Sequence, residues 1–382
     1  MTPGQDTAPD HQPQIFGLSG ALDLAVIVPT FNEIDNIEPM ISALIDVLTP
    51  LNFEIIFVDD NSPDGTADRV RALAGRYPQV RCLQRVGRRG LSSAVIEGFL
   101  ATSAPYAVVI DGDFQHDETR LPQMLEYLIG QGLDLVVGTR YGQGGGTGNW
   151  SEQRRKMSER ATGIAKRLTG VTLSDPMSGF FMMRTDQFRV RVADLTGVGY
   201  KILLDILSAR GPKLSIAEIP YQFRNRQAGE SKLDNKVILE FVELLIARTV
   251  GRILPTKFIM FSMVGALGVL VHLAVLSSLF GSGALSFVTA QAMATLVAMT
   301  ANFFVNNFFT YFDRQLKGWG LLSGWLSFSA ASAVGALANI GLSAYLFENL
   351  GVAWLGAALV GIIVGATWNY AITALFTWRP TA

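Results

Sequence analysis

The sequence predicts an α/β domain with a Rossmann-like, mostly parallel sheet, followed by an all-α domain of four membrane-spanning helices. Over residues 22–138, short apolar segments alternate with amphipathic ones, as in chains that build a parallel sheet covered by helices. Beyond residue 257 the chain is apolar and carries only five of its 63 charged side chains. The first part is therefore expected in water and the second in a bilayer.

Composition narrows the classes of protein. The 382 residues are 49% hydrophobic and 16% charged, with a mean hydropathy of +0.31, whereas a typical soluble domain has about 25% charged residues. A purely soluble or a disordered protein is excluded. The net charge of −1 argues against a nucleic-acid partner. Cys82 is the single cysteine, which excludes a disulfide framework and a cysteine-based zinc site.

Residues 1–20 are rich in proline, glycine and polar residues, and we expect a flexible tail there. No basic segment followed by an apolar one is present in this stretch, so no secretory signal is predicted. The soluble part is therefore expected to stay in the cytoplasm.

Five strands and four helices are predicted in the α/β domain, residues 21–233. The predicted strands are short apolar runs, at 24–29, 53–59, 80–84, 106–111 and 133–138. The predicted helices have apolar residues at helical spacing, at 34–48, 67–76, 91–102 and 121–130.

Polar residues follow four of these strands, at the edge where parallel sheets bind their ligands. The segments are 29–33, 59–66, 111–116 and 138–141. Three of them carry acidic side chains, which we expect to converge on one cleft. Asp, Asn and Ser are also common in caps and turns, and residues 62–65 are expected to form a turn in either case.

Asp111 and Asp113 are expected to hold a divalent cation at the end of the fourth strand. Two carboxylates this close repel one another, and Mg²⁺ or Mn²⁺, which takes oxygen ligands, relieves that repulsion. Gln115 can add an amide oxygen, and a metal held in this way neutralises a leaving diphosphate. Asp59 and Asp60 suit a different task, because a carboxylate away from the metal can accept hydrogen bonds from ribose hydroxyls or a base.

The strand-end segments resemble those of family 2 glycosyltransferases with a GT-A fold. They read Pro-Thr-Phe-Asn-Glu from residue 29, Val-Asp-Asp-Asn-Ser-Pro-Asp-Gly-Thr from 58 and Asp-Gly-Asp-Phe-Gln-His from 111. Within that family the chain is similar to the dolichyl-phosphate mannose synthases. Further matches run in order to residue 233 and include Ser-Asp-Pro-Met-Ser-Gly-Phe from 174 and Gly-Glu-Ser-Lys-Leu from 229. Ser92, Gly112 and Asp205 depart mildly from the family pattern.

The resemblance implies a role for each matching residue. The nucleotide and its sugar would meet Pro29, Phe31, Glu33, Asp60 and Gly112. The metal and the donor diphosphate would meet Asp111, Asp113 and Gln115. The acceptor phosphate would meet Arg140, Arg154 and Ser158. Arg226 and Lys232 would contact the donor diphosphate from a closing segment. The groups expected to be catalytic are Asp113, Arg140, Arg226 and Lys232. His116 is expected to make a structural contact rather than to act as a base.

The reaction that the resemblance implies is transfer of mannose from GDP-mannose to a polyprenyl phosphate, with inversion. Three alternatives stay open at this point. The donor could be a UDP-sugar, with glucose, galactose or an aminosugar. The chain could be a processive synthase, although the Gln-x-x-Arg-Trp motif of those enzymes is not found in the sequence. It could also be a lipid-sugar flippase with a non-catalytic transferase domain.

Four apolar segments are long enough to cross a bilayer, at about 258–280, 284–309, 321–347 and 351–376. Their basic flanks predict that both termini and the α/β domain face the cytoplasm. The segment 234–256 before them is expected to be an amphipathic interface helix, most clearly at 235–254. The partners implied are GDP-mannose, a polyprenyl phosphate and the bilayer, with a homo-oligomer left open.

The membrane domain, residues 257–382, repeats itself. Val-Gly-Ala-Leu occurs from residues 264 and 334, an offset of 70, and Thr-x-Asn-aromatic from 300 and 367, an offset of 67. We expect two helical hairpins related by a pseudo-twofold axis along the membrane normal, an arrangement that resembles the GtrA-like family. The asparagines in the spans are expected either to form interhelical hydrogen bonds or to offer a polar surface to a lipid headgroup.

Overall fold

The computed structural model describes residues 21–141, 144–146, 152–170, 172–224, 235–251, 253–281 and 285–379, apart from some side chains within the helices. The chain divides into two compact units, Met1–Leu233 and Asp234–Ala382. Unit 1 contains the strands, and unit 2 contains the long apolar helices.

Unit 1 has seven strands and seven α-helices in its described residues. The strands are β1 Leu24–Thr30, β2 Phe53–Asp59, β3 Val80–Gln84, β4 Tyr106–Val109, β5 Leu135–Thr139, β6 Phe181–Arg184 and β7 Ile216–Pro220. The helices are α1 Ile37–Leu48, α2 Thr66–Ala74, α3 Leu91–Ala101, α4 Leu121–Gly130, α5 Glu152–Thr169, α6 Thr185–Arg191 and α7 Ile202–Ser208.

The strands form one sheet in the order β3-β2-β1-β4-β6-β5-β7, in which only β6 runs antiparallel to its neighbours. The predicted mostly parallel sheet is confirmed. The second and third strands have the predicted bounds, whereas β4 ends two residues early because the chain turns into the 111–116 segment. The predicted strand list lacked β6 and β7, which are short and lie in a part of the chain where no alternation of strand and helix was visible.

The sheet is covered on both faces, as alternation along β1 shows. Val26 and Val28 belong to an apolar cluster that includes α1 and α4, while Ala25 and Ile27 belong to a second cluster that includes α3. Side chains alternate across a strand, so both faces of β1 are buried. At Gly98 of α3 a Cβ would overlap Ile27, so the glycine allows the helix to approach the strand closely.

Unit 2 begins with α8, Asn235–Thr249. This helix starts where the interface helix 235–254 was predicted and ends five residues earlier. Four long apolar helices follow, α9 Thr256–Gly281, α10 Phe287–Val305, α11 Trp319–Glu348 and α12 Trp354–Ile372. Short π-helical segments, Asn306–Thr310 and Thr373–Thr377, follow α10 and α12. All four of the described apolar helices have the length and composition of membrane spans, as predicted.

The membrane helices form two equivalent hairpins. A Cβ at Gly268 would overlap Asn302, and a Cβ at Gly335 would overlap Asn369, so one glycine–asparagine contact recurs at an offset of 67 residues. The offset of 70 taken from Val-Gly-Ala-Leu is therefore wrong by three residues. The packing matches Gly335 with Gly268, whereas the motif had matched it with Gly265.

Contacts between the hairpins obey the same offset. Phe261 of α9 packs on Tyr370 of α12, and the equivalent pair is Phe328 of α11 on Phe303 of α10. Tyr311 and Trp378 are also equivalent, and they stack on each other at 4.2 Å with an interplanar angle of 8°. Exchange of the two hairpins thus preserves these contacts, which supports the pseudo-twofold relation.

Two span asparagines, Asn306 and Asn307, form hydrogen bonds through their side-chain oxygens, whereas the buried Asn369 Oδ1 has no hydrogen-bond partner among the described residues. Asn307 Oδ1 accepts from Trp378 Nε1 at 2.9 Å and from the Leu316 amide at 2.9 Å. Asn306 Oδ1 accepts from the Thr310 hydroxyl at 2.7 Å. The interhelical interpretation therefore holds for Asn307.

Bulk added at the two equivalent glycines should loosen the membrane domain. We expect Gly268→Val and Gly335→Val each to destabilise it by about 1–3 kcal/mol, because the side chain would push apart helices that pack on asparagine. The measurement is the melting temperature of the detergent-purified protein. The matched control is Gly265→Val, one turn away, where a Cβ would meet nothing within 4 Å. Equal damage from the control would contradict the offset of 67.

Candidate active site

The segment after β4 places two carboxylates and an amide together. The Asp113 side chain is buried, and its Oδ1 accepts a hydrogen bond from the Gln115 amide at 3.1 Å. The side chain of Asp111 is one-third exposed. Phe114, between Asp113 and Gln115, has φ +62°, an uncommon value for a residue with a side chain, and its ring is packed into the core. The buried ring thus anchors a tight turn that brings residues 111, 113 and 115 to one place.

The side chain of Gln115 joins this turn to the chain that follows β7. Its Nε2 donates to the Arg224 carbonyl at 3.3 Å, and the Arg224 amide donates to the Gln115 carbonyl at 2.9 Å. Because the amide nitrogen is used in this way, the amide oxygen is the atom that can serve a cation. Arg224 also pairs with Asp117 at 2.5 Å and Glu118 at 2.8 Å.

His116 stabilises the 111–116 turn through a hydrogen bond and a ring contact. Its Nδ1 accepts the Asp111 amide at 3.1 Å, and its ring stacks on Phe180. Burial lowers the pKa of His116 from 6.5 to about 4, so the imidazole is neutral at pH 7. The geometry shows the structural contact that the sequence predicted. The Nδ1 atom, which would have to take up a proton if His116 acted as a base, already accepts the hydrogen bond from the Asp111 backbone amide.

Acidic pH should destabilise the fold through His116. The unfolded histidine binds a proton near pH 6.5 and the folded one only near pH 4, so the stabilisation is complete above pH 6.5 and falls as the pH drops toward 4. At pH 5 the loss should be roughly 2 kcal/mol. In His116→Asn the asparagine side-chain oxygen can still accept the hydrogen bond from the Asp111 backbone amide. We expect the melting temperature of this variant to fall less between pH 7 and pH 5 than that of the wild type. His272→Asn is the control, and an undiminished drop in His116→Asn would contradict the assignment.

Asp60, just beyond β2, lies in a charged pocket. The Gly90 amide donates to its Oδ2 at 2.7 Å, and Nε of the fully buried Arg85 lies 3.2 Å from its Oδ1. Burial raises the pKa of Asp60, although Gly90 and Arg85 act in the opposite direction. Arg85 was missed by the sequence analysis, since nothing local in the sequence indicates that it pairs with Asp60.

Asp59 was expected to suit the same task as Asp60, and the structure contradicts this. Its carboxylate is fully buried and accepts hydrogen bonds from the amide and hydroxyl of Ser62 and from the Thr30 hydroxyl. Both oxygens thus close the turn after β2. Asp59 is therefore a structural residue. Asp60 is buried as well, with its oxygens facing Gly90 and Arg85, and its role in ligand binding stays a prediction.

The segment 29–33 after β1 is held against the same turn. The Asn32 amide donates to Ser62 Oγ at 2.9 Å, and the Glu33 amide donates to Thr66 Oγ1 at 3.0 Å. The Phe31 ring lies 4.5 Å from the Arg89 guanidinium carbon, so a cation covers one aromatic candidate for the nucleotide site. Pro29 lies at the end of β1, opposite Val58 of β2. A Cβ at Gly112 would fit at 3.5 Å from Thr30, which agrees with the mildness of that departure from the family pattern.

Arg140, beyond β5, is paired with Asp175. Its Nε and Nη2 donate to the two carboxylate oxygens at 2.7 and 2.9 Å. The side chain of Arg140 is 11% exposed and that of Asp175 is fully buried. Burial disfavours the charge of Arg140, but the two hydrogen-bonded oxygens of Asp175 outweigh it and raise its pKa. The next residue, Tyr141, shares a hydrogen bond of 2.8 Å between its hydroxyl and that of Ser158.

Some predicted site residues cannot be compared with the structure. Arg226 and Lys232 lie outside the described residues, and so does the side chain of Arg154. The described ones fall at the carboxyl ends of β1, β2, β4 and β5, as expected, except Ser158, which lies on α5. The Phe223 ring lies 5.6 Å from the Arg140 guanidinium carbon and 6.1 Å from the His116 ring, so the 111–116 turn and the Arg140 pair are neighbours.

Comparison with known proteins agrees with this division of the chain. Residues 25–191 match the family described as glycosyl transferase family 2, and residues 260–378 match the GtrA/DPMS transmembrane domain. Among solved structures, the chain is similar to glucosyl-3-phosphoglycerate synthase from Mycobacterium tuberculosis in complex with Mn²⁺, UDP-glucose and phosphoglyceric acid. That likeness has a TM-score of 0.45 and 20% identity, and covers 59% of this chain and 79% of the other.

Curated relatives match more of the chain. The dolichol-phosphate mannosyltransferase of Pyrococcus furiosus is 35% identical over 94% of this chain and 99% of its own length. The enzyme of the same name from Saccharomyces cerevisiae is 38% identical over 59% of this chain and 86% of its own length. The chain therefore belongs to the family of dolichol-phosphate mannosyltransferases, as a multi-pass membrane glycosyltransferase whose family 2 domain is followed by a GtrA/DPMS transmembrane domain.

Proposed function

We propose that this protein transfers mannose from GDP-mannose to a polyprenyl phosphate, with inversion, and releases GDP. The observation that carries the proposal is the match to the Pyrococcus furiosus dolichol-phosphate mannosyltransferase over nearly the whole of both chains. The cleft chemistry supports it, because carboxylates and an amide oxygen lie at the carboxyl edge of the sheet near Arg140, whose side chain is 11% exposed.

Asp111, Asp113 and Gln115 would hold Mg²⁺ or Mn²⁺. Their donor set fits a hard cation, since it consists of two carboxylates and an amide oxygen. Within the described ranges no three His, Cys, Asp or Glu side chains cluster as metal ligands. The donor diphosphate would supply further oxygen ligands, as substrate phosphates commonly do for Mg²⁺. When bound, the ion would neutralise charge on the leaving diphosphate.

The remaining donor contacts are assigned to the residues that follow β1 and β2. Asp60, with Phe31 and Glu33 beside it, would accept hydrogen bonds from the nucleoside, and Pro29 and Gly112 would line the same pocket. Arg226 and Lys232 would close over the diphosphate, as the resemblance implies. Arg224, the last described residue before them, forms ion pairs with Asp117 and Glu118, which directly follow the 111–116 turn.

The acceptor would bind through Arg140, Arg154 and Ser158. A phosphate monoester has a second pKa of about 6, so at neutral pH it is largely a dianion and needs positioning rather than deprotonation. One phosphate oxygen forms a bond to the anomeric carbon, while the bond from that carbon to GDP breaks and its electron pair leaves with the diphosphate. No base is required, which agrees with a buried, neutral His116.

The membrane domain would hold the cleft at the cytoplasmic face. Arg248, Arg252 and Lys257 precede the first span, Arg314 and Lys317 follow the second, and Arg379 follows the fourth. This bias favours cytoplasmic termini and a cytoplasmic catalytic domain. Lys257 Nζ lies 3.3 Å from Glu243 of α8 and 2.9 Å from Asp313, so it ties the juxtamembrane helix to the bundle within unit 2.

The test is a donor screen on the purified full-length protein. A polyprenyl phosphate and Mg²⁺ or Mn²⁺ are supplied with GDP-mannose, UDP-glucose, UDP-galactose or UDP-N-acetylglucosamine in turn, and the lipid-linked sugar is measured. We expect product from GDP-mannose alone. Product from a UDP-sugar would keep the mechanism and overturn the substrate, and no product from any donor would overturn the proposed activity.

A further inference from the structure

The Ser-Asp-Pro-Met-Ser-Gly-Phe segment, residues 174–180, has no role in the mechanism above, although it touches both sides of the cleft. Asp175 pairs with Arg140 on the acceptor side. At the other end, a Cβ at Gly179 would lie 3.4 Å from His116 and 3.7 Å from Asp111 Oδ2, so the segment packs directly against the 111–116 turn.

The segment is fixed at both ends by hydrogen bonds to the sheet. Glu218 of β7 accepts from the amide and the hydroxyl of Ser174 at 2.8 and 2.7 Å. Ser178 Oγ donates to the Gly138 carbonyl at 2.7 Å, next to the end of β5. Since β5 and β7 are parallel neighbours, the segment is braced across two strands and is built to be rigid.

We propose that Asp175 is a positioning residue, which sets the guanidinium of Arg140 in the orientation that binds the acceptor phosphate. The inference rests on the proposed function. Asp175 holds the Nε and Nη2 edge of a planar guanidinium, and a planar fork held along one edge has its Nη1 edge directed away from that partner. The fork is thereby fixed for a second, anionic partner.

The same segment reaches the second acceptor residue through Ser174. Its hydroxyl is hydrogen-bonded to that of Thr139, which accepts the Tyr141 amide at 3.2 Å. The Tyr141 hydroxyl then meets Ser158 at 2.8 Å. Adjacent residues, Ser174 and Asp175, are thus linked to both described acceptor candidates, and the same segment packs on the 111–116 turn through Gly179.

The test compares Asp175→Asn with Asp186→Asn in the full-length protein. Asp186 makes the same side-on pair with Arg184, at 3.1 and 2.7 Å, but at an exposed position. Arg184 is opposite Tyr106 at the amino end of β4, whereas the cleft lies at the carboxyl end of that strand. We expect Asp175→Asn to raise the KM for polyprenyl phosphate by about tenfold or more, the effect of losing a charged hydrogen-bond partner. The KM for the sugar nucleotide should change by less than about twofold, and Asp186→Asn should change neither. An equal rise in both KM values would overturn the proposal.

Asp175→Asn leaves Arg140 without its carboxylate partner in a largely buried position, so this variant can fail to fold. A second comparison covers that case. Binding of geranylgeranyl phosphate is measured for Arg140→Gln and for Arg140→Gln with Asp175→Asn. Of these two, only the double variant removes both charges of the pair. If Asp175 acts through Arg140, the two variants bind alike. Further weakening in the double variant, or wild-type binding by Arg140→Gln, would overturn the inference. A wild-type protein that binds no isoprenoid phosphate would instead contradict the proposed function.

Discussion

Asp113→Asn should abolish sugar transfer, with a loss of about 10³-fold or more. A bound divalent cation contributes several kcal/mol of charge stabilisation to such a reaction, and about 4 kcal/mol corresponds to a thousandfold change in rate. Asparagine keeps the oxygen that accepts the Gln115 amide at this position, so the turn should stay folded while the anionic ligand is lost. The measurement is formation of lipid-linked mannose at saturating Mn²⁺, together with Mn²⁺ titration in the presence of GDP.

The control for this variant is Glu126→Gln. Glu126 is exposed on α4 of the same unit, and its replacement removes the same charge. It should transfer sugar at the wild-type rate. If Asp113→Asn retained the wild-type rate and its response to Mn²⁺, the metal assignment at the end of β4 would be wrong.

Asp60→Asn should raise the KM for GDP-mannose by about 10- to 100-fold and leave the KM for the polyprenyl phosphate unchanged. A hydrogen bond to a charged group contributes about 1.5–3 kcal/mol. The substitution also removes the charge that faces the buried Arg85, 3.2 Å away. The measurement is a pair of titrations, each with the second substrate held at saturation.

Asp68→Asn is the matched control, because Asp68 lies on α2 in the next part of the chain and its side chain is 86% exposed in an ion pair with Arg71. Such a surface pair contributes little, so both KM values should stay near those of the wild type. If Asp60→Asn raised only the KM for the polyprenyl phosphate, Asp60 would belong to the acceptor site and its assignment to the nucleotide would be wrong.

Local patterns predicted the β2 and β3 strands to the residue and the α4 helix as well. These elements have apolar residues at the spacing of their own type, and each is bounded by turn residues. The pattern could not predict β6. It is four residues long and inserts antiparallel between β4 and β5, an arrangement that depends on strands far away in the sequence.

The site divides in the same way. The residue types at the ends of β1, β2, β4 and β5 were legible because ligands of a parallel sheet gather at that edge. The pairs that orient them were not. Asp175 lies 35 positions from Arg140, and Glu218 lies 44 positions from Ser174. The task of Asp59 was also misjudged, since a carboxylate bound to Ser62 looks the same in sequence as one exposed in a cleft.

The sequence by itself determined which part of the chain lies in water and which in the bilayer, the strand–helix alternation and the residue types at the strand ends. Composition and periodicity are local properties and can be read without the fold. Tertiary structure alone decided which carboxylate closes a turn, which arginine is held by Asp175 and which glycine faces each asparagine in the membrane. Those choices depend on contacts between residues far apart in sequence, and a shift of three residues, as from Gly265 to Gly268, changes what a helix packs against.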